Sequence, residues 1–349
     1  MSGEQKAPET NRLGFTKAEY GGSKSTLCMG CGHDTITSHI ITAFYQSGID
    51  PYDVTKLSGI GCSSKTPAYF LSKSHGFNSI HGRMAPIATG VHLANSKQIL
   101  IGVSGDGDTA SIGLGSFAHM LRRNVAMIYL VENNGVYGLT KGQFSATADR
   151  GSKSKSGHVN PYDSIDLCAL ALEMGCTFVA RSFSGDAKQL VPLLNMAIRH
   201  KGTAFIDIIS PCIAYANHEG STRSFDAVRA ANVSLQELGF VQPLAEIKID
   251  YPEGEAKTVE LHDGSRVILR KLNSEHHDVT KRDKALVALG EARARHEFLT
   301  GLFYWDQTSV PLNHALKLVP TPLRDLREST RPGADALDEI LSRFDKGST

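Results

Sequence analysis

Residues 125–131 (VAMIYLV) form an unbroken apolar run, and residues 98–104 (QILIGVS) come close to repeating it. Continuous runs of this kind, as opposed to alternating ones, predict strands buried on both faces of a sheet. Shorter runs at 54–58, 177–180 and 204–209 predict three further strands. Between them the spacing turns helical. Ile36, Ile40, Ile41 and Phe44 fall on one face of a helix over 34–46, with Gly48 as its stop. Further helices are predicted over 87–94 after Pro86, over 110–123, near 165–174 and over 187–200. Strands alternating with helices imply an α/β fold with a doubly wound, parallel sheet over residues 28 to about 240.

The pattern changes in the last hundred residues. Residues 258–262, an Asp263-Gly264 turn and residues 265–269 predict a β-hairpin. A charged helix follows over 284–300. From Gly301 onward the periodicity is weak and four prolines intervene, so an extended tail around a short terminal helix is expected. Three segments result: an N-terminal arm at 1–27, a main domain at 28–245, and a C-terminal hairpin, helix and tail at 246–349.

Composition narrows the function classes. A chain of 349 residues with 41% hydrophobic content can build a large core, which excludes wholesale disorder. Thirty-seven basic residues balance 36 acidic ones, so no general field draws nucleic acid or anionic lipid. The apolar runs fall far short of the about 20 residues a membrane helix needs. The N-terminal segment lacks the apolar core of a signal peptide. A soluble, cytoplasmic protein is expected.

The six cysteines change the picture more. Without an export signal, metal or redox use is favoured over disulfides. Cys28-Met-Gly-Cys31 has the spacing for two thiolates to reach one metal centre from a tight turn. Cys168 and Cys176 lie in an apolar stretch and read as small buried hydrophobes. Cys62, Asp106, Asn134 and Cys212 each follow a predicted parallel strand. The carboxyl ends of such strands share one rim, where ligands bind. Cys28 and Cys31 precede a helix, whose N-terminus favours thiolate over thiol.

Gly105-Asp106-Gly107-Asp108 and Asn133-Asn134-Gly135 are turn signals when taken alone. Here residues 108–132, one helix plus one strand, separate Gly107 from Asn133, so the two loops should be neighbours. Glycines permit close approach of backbone to a phosphate, and a helix N-terminus favours its charge. The Asp106 carboxylate, the Asn134 amide oxygen and a nearby backbone carbonyl would give Mg²⁺ oxygen ligands, completed by a diphosphate and water.

This pair of loops resembles the thiamine diphosphate motif of thiamine-dependent enzymes. Together with Cys28-x-x-Cys31, Gly61-Cys62-Ser-Ser, His81-Gly-Arg83, Tyr137-Gly-Leu-Thr-Lys-Gly-Gln143 and Ser210-Pro-Cys212, it resembles the β subunits of 2-oxoacid:ferredoxin oxidoreductases, the 2-oxoglutarate branch above all. The resemblance covers residues 20 to about 240. It implies a pyrophosphate-type thiamine-binding fold. It also implies a [4Fe–4S] cluster on Cys28, Cys31, Cys62 and Cys212, and Mg²⁺ on Asp106, Asn134 and the Val136 carbonyl. Ile60, Gly61, Cys62, Ser63, Gly105, Gly107, Asp108, Gly138 and Leu139 would surround the cofactor, with His81 and Arg83 in a loop facing it. Lys65, Leu139 and Lys141 would face the 2-oxoacid. The implied reaction oxidatively decarboxylates 2-oxoglutarate with coenzyme A to succinyl-CoA and carbon dioxide, reversibly, and passes electrons to ferredoxin. The sequence carries no second thiamine domain, so an α subunit is the expected partner, in an α2β2 assembly. Three alternatives stay open. One is the same chemistry on pyruvate or on 2-oxoacids broadly. A non-redox thiamine-dependent decarboxylase subunit would not need the four cysteines. A binding protein stabilised by zinc on four cysteines would not need the Asp106–Asn134 pair.

Overall fold

The computed structural model describes residues 9–154, 157–213, 245–261, 266–327, 333 and 335–345. In chain order the elements are α1 (Gly32–Ser47), β1 (Val54–Ser58), β2 (His75–Asn78), α2 (Met84–Ala94), β3 (Ile99–Gly105), α3 (Leu114–Arg122), β4 (Met127–Asn133), β5 (Val136–Tyr137), β6 (Gln143–Phe144), α4 (Leu167–Glu173), β7 (Phe178–Phe183), α5 (Ala187–Arg199), β8 (Thr203–Ile209), β9 (Ala256–Glu260), β10 (Arg266–Lys271), α6 (Arg282–Ala294), β11 (Phe298–Trp305), α7 (Leu312–Ala315) and α8 (Asp335–Asp345).

Nine strands form one sheet in the order β2-β1-β3-β4-β8-β7-β11-β10-β9. The first six in that order are parallel. Strands β4 and β8 are buried along their whole length, as their continuous apolar runs require. Helices cover both faces. On one, α1 and α5 bury Ile36, Ile40, Phe44, Leu190 and Leu194 against Ile101, Leu130 and Ile206. On the other, α2, α3, α4 and α6 bury Met84, Phe117, Leu172 and Leu289 against Tyr129 and Phe205. Each such side chain, fully buried, contributes roughly 1.5–3 kcal/mol. The doubly wound parallel sheet is therefore as expected. No helix among the described residues is long and apolar enough to cross a membrane.

The C-terminal expectation needs correction. The hairpin forms as β9 and β10, although its Asp263-Gly264 turn lies outside the described residues. The charged helix stops at Ala294, and Phe298–Trp305 is a strand of the main sheet. It runs antiparallel to β7 and parallel to β10, so it joins the hairpin to the rest. Phe303 is fully buried, and Tyr304 and Trp305 pack against the two main cores. The aromatic group is thus core, and the segment begun at residue 246 extends the sheet. The boundary expected at 245 itself lies next to residues 214–244, outside the described residues. The arm also differs from a free segment in its described part. Tyr20 is fully buried, accepts from Asn11 Nδ2 at 2.7 Å and donates to the Ile49 carbonyl at 2.8 Å.

Candidate active site

Parallel pairing brings the carboxyl ends of β1, β3, β4 and β8 to one rim. There β1 leads into Gly59 to Cys62, β3 into Asp106, β4 into Asn134 and β8 into Ser210 to Cys212. Asp106 is 1% exposed. Its Oδ1 accepts from the Asn134 N–H at 3.3 Å, and its Oδ2 from the Gly135 N–H at 3.1 Å and the Thr147 hydroxyl at 2.7 Å. The Ser145 hydroxyl donates to the same oxygen. Among the described residues no lysine, arginine or histidine pairs with it. Asp108, Asp166, Asp186 and Asp207 each have such a partner. A buried carboxylate held by neutral donors alone is costly unless a cation completes it. The oxygen donors suit a hard divalent ion. Asn134 Oδ1 accepts from the Val136 N–H at 3.1 Å, which ties both remaining candidate ligands into one turn beside Asp106.

The neighbouring backbone fits a phosphate. The Ser63 hydroxyl is buried with no hydrogen-bond partner, and a Cβ on Gly105 would stand 3.1 Å from it. A Cβ on Gly107 would come within 2.5 Å of the Tyr137 ring, so only glycine passes there. Tyr137 in turn donates to the Gly107 carbonyl at 2.9 Å. The helix expected over 110–123 begins with a wider turn over Gly107–Ile112, in which the Gly113 N–H bonds the Asp108 carbonyl at 2.8 Å. Such turns recur at functional sites.

Other candidates are turned inward or away. Asp108 is 2% exposed and accepts from the Gly82 N–H and the Ser104 hydroxyl, each at 2.7 Å, and pairs with His81 Nδ1. It therefore pins the loop after β2 to the end of β3. His81 is half-buried on Asp108. Arg83 is exposed and directs its guanidinium to the Gly82 carbonyl and Ser116, away from Asp106. Ile60 and Gly61 are half-buried at the rim, with Gly61 at φ 116°. Leu139 and Lys141 are exposed in the β5–β6 turn, where Lys141 takes φ 79° and its N–H bonds the Gly138 carbonyl at 3.2 Å. Lys65 is half-buried, and its charge acts on Cys62 against the burial that raises the Cys62 thiol.

The six cysteines lie in two places. A Cβ on Gly138 would stand 3.6 Å from the sulfurs of both Cys62 and Cys212. Cys28 and Cys31 share a tight turn, with the Cys31 N–H on the Cys28 carbonyl at 3.0 Å, and Cys31 lies within electrostatic reach of Cys212 and Cys28. None of the six cysteines is in a disulfide. Among the described residues, no three His, Cys, Asp or Glu side chains stand close enough to hold a single ion. A four-iron cluster binds each thiolate through a different iron and needs no such close set. The helix N-terminus does not win at Cys31, because burial pushes its thiol well above the ordinary range. A thiolate there needs a cationic partner, as metal ligation provides. Cys168 and Cys176 are fully buried in the core, the latter pushed up to about 12 by burial.

Comparison with known proteins settles the lineage. Residues 59–208 match the C-terminal TPP-binding domain of thiamine pyrophosphate enzymes. The 2-oxoglutarate synthase subunit KorB of Methanocaldococcus jannaschii is 38% identical over 193 residues, covering 54% of this chain and 70% of that protein. The chain belongs to the β subunits of the 2-oxoacid:ferredoxin oxidoreductases. The β subunit of a Sulfolobus 2-oxoacid:ferredoxin oxidoreductase is 44% identical over 189 residues. The match spans 54% of this β subunit and 62% of the Sulfolobus protein, less than two thirds of that relative's length. A solved 2-oxoglutarate:ferredoxin oxidoreductase from Magnetococcus marinus, with 2-oxoglutarate, coenzyme A and succinyl-CoA bound, superposes with a TM-score of 0.71 at 25% identity. It covers 96% of this chain and 98% of its own. At 96% of this chain, that likeness extends well beyond residues 59–208, the span of the family match, into the C-terminal extension.

Several residues of the site escape sequence reasoning. Ser145 and Thr147 sit in a polar Gly/Ser-rich loop that offers no distinguishing pattern. Glu132 is fully buried at the end of β4, where burial raises its carboxyl well above the usual range against the Thr66 hydroxyl that bonds it. His33, lowered to about 4 by burial, lies 3.6 Å from it and 2.7 Å from the Ser210 hydroxyl. Burial works against the charged form of each. A carboxyl inside an otherwise apolar strand is the signal that would have found Glu132.

Proposed function

We propose that this β subunit supplies the diphosphate-binding and electron-exit half of a thiamine diphosphate-dependent 2-oxoglutarate:ferredoxin oxidoreductase. In this reading 2-oxoglutarate and coenzyme A yield succinyl-CoA and carbon dioxide, with electrons passing through a [4Fe–4S] cluster to ferredoxin. The observation that carries it is the meeting, at one rim, of an acid without a cation and the Cys62–Cys212 pair around Gly138. Thiamine diphosphate, when bound, supplies the electron sink for decarboxylation. Asp106, Asn134 and the Val136 carbonyl would hold its Mg²⁺. Ser63 and the glycine backbone would take phosphate oxygens. Cys28, Cys31, Cys62 and Cys212 would hold the cluster. A non-redox decarboxylase explains the acid but leaves the cysteine pair without work, and a zinc-binding protein leaves the acid unexplained.

In the cysteine turn and the loops of the rim, Met29, Ile80 and Leu139 are 62%, 77% and 53% exposed. Apolar side chains at the edge of a charged site support coverage by an α subunit in an α2β2 assembly. Lys141, on its strained turn, would reach the distal carboxylate of the 2-oxoacid, with Lys65 and Leu139 beside the keto acid. A charge-assisted bond of roughly 1.5–3 kcal/mol corresponds to about ten- to a hundredfold in preference.

The test is anaerobic coexpression with the α subunit, analysis of iron, sulfide and thiamine, and kcat/KM for 2-oxoglutarate and pyruvate before and after Lys141→Ala. The expected result is a brown complex that prefers 2-oxoglutarate, with the substitution costing the dicarboxylate most. A complex without iron, or a wild-type preference for pyruvate, overturns the corresponding part.

A further inference from the structure

A cavity of about 400 Å³ opens beside the cofactor rim, between the loop after β6 and the start of β11. Its floor includes Arg181, 4% exposed, on β7 and Asp207, 1% exposed, on β8. These two residues stand directly opposite each other on neighbouring parallel strands. Arg181 Nε donates to Asp207 Oδ2 at 2.8 Å, and its terminal nitrogen donates to Asp166 Oδ1 at 2.6 Å. Asp166 also caps α4 through the Cys168 and Ala169 N–H groups. That much would serve stability alone.

The other oxygen of Asp207 does something else. Asp207 Oδ1 accepts from Asn133 Nδ2 at 3.0 Å, which fixes the orientation of the Asn133 amide, because a carboxylate can only accept. Asn133 Oδ1 then faces the Thr147 hydroxyl at 3.0 Å, and the same hydroxyl lies 2.7 Å from Asp106 Oδ2. A hydroxyl has one proton, so Asn133 and Asp106 share it. Every member of this series is buried. It runs unbroken from the cavity to the carboxylate assigned to Mg²⁺. In such low-dielectric surroundings each link polarises the next.

We propose that Asp207, held by Arg181, is a positioning residue for the divalent-cation site, acting through Asn133 and Thr147 on the Asp106 carboxylate. The inference rests on the assignment of Asp106 to Mg²⁺ made above. Asp207 touches neither cation nor cofactor. It sets the direction of the Asn133 amide, and thereby where the Thr147 oxygen stands and how the second oxygen of Asp106 is held.

The experiment is a binding titration on the purified α2β2 complex with thiamine diphosphate at a fixed saturating level. Mn²⁺ replaces Mg²⁺ and is read by the electron paramagnetic resonance signal of the free ion. Thr147→Val, which removes the hydroxyl at nearly constant volume, should weaken Mn²⁺ binding about tenfold, and Thr147→Ser should restore it. Asp207→Asn should weaken it several-fold and broaden the bound-ion signal. The Thr147→Val/Asp207→Asn double variant should be no worse than Thr147→Val alone, since the remote change has lost its route. Additive losses, or an Asp207→Asn complex that binds Mn²⁺ like wild type, would overturn the proposal while leaving Asp106 as a ligand. Wild-type complex that binds no Mn²⁺ with the cofactor would overturn the metal assignment and this inference with it. Should Asp207→Asn fail to fold, Asn133→Leu in its place must show the same lack of additivity with Thr147→Val.

Discussion

Asp106 at the carboxyl rim of the parallel strands and the acids held by the C-terminal extension are balanced in opposite ways. Two acids, Asp186 against the extension and Glu297 within it, meet cations that the extension supplies. Lys271 Nζ lies 2.7 Å from Asp186 Oδ2, and Arg270 grips both oxygens of Glu297 at 2.6 and 2.8 Å, with Arg295 adding a third bond. At the rim Asp106 gathers backbone N–H groups and hydroxyls and nothing positive among the described residues. The first arrangement closes the electrostatics within the protein and stiffens it. The second leaves a negative charge for something brought from outside. At Asp106 internal charge pairing stops, and that makes it the candidate for a cation from outside.

Three substitutions sharpen that contrast. Asp106→Ala should abolish Mg²⁺-dependent thiamine diphosphate binding in calorimetry. The loss should exceed the roughly 10–100-fold that loss of an outer-shell partner costs. Retained tight binding would remove Asp106 from the metal site. Lys271→Met acts on the other kind of acid and should do the reverse. It leaves Asp186 buried without its cation and should cost about 3–5 kcal/mol in urea unfolding, with cofactor affinity unchanged in the folded fraction. A loss below about 1 kcal/mol would mean that Asp186 finds a second partner or takes up a proton.

The smallest effect carries a pH signature. Bonds from Arg270, with help from Arg295, lower the Glu297 carboxyl to about 2, against an ordinary value of 4.5. The folded form therefore holds its proton less tightly than the unfolded one. The associated stability is complete above about pH 4.5 and is lost as pH falls towards 2. With half-exposed arginines screened by solvent, Glu297→Gln should cost about 1 kcal/mol at pH 7 and nothing near pH 2. A cost that does not change between those pH values would mean packing, with charge playing no part.

Much of the parallel half was legible because its physics is local. The run at 54–58 became β1 without shift, and those at 98–104 and 125–131 moved by one or two residues. The ends of those strands then located Cys62, Asp106, Asn134 and Cys212. What stayed hidden depends on distant partners. His75–Asn78 is an edge strand with every residue exposed, so no apolar pattern announces it. In β11, Gly301 at φ 132° and a register shift between Leu302 and Tyr304 interrupt the alternation, and a charged helix just before it invites continuation. Asp207 lies inside the apolar run that identified β8, and its meaning appears only once Arg181 is seen opposite. Asp108 and Arg83 show the limit of motif reading, since the motif fixes their position in the chain and not the direction their side chains take.

The placement of β11 also dictates an order of assembly. Residues 256–271 can pair with each other as soon as they are made, since β9 and β10 are neighbours in sequence. They reach the main sheet only through β11, which must slide between β7 and β10. Until β11 has been made, the edge of β7 lacks the partner it has in the finished sheet, and an open strand edge is a template for wrong pairing.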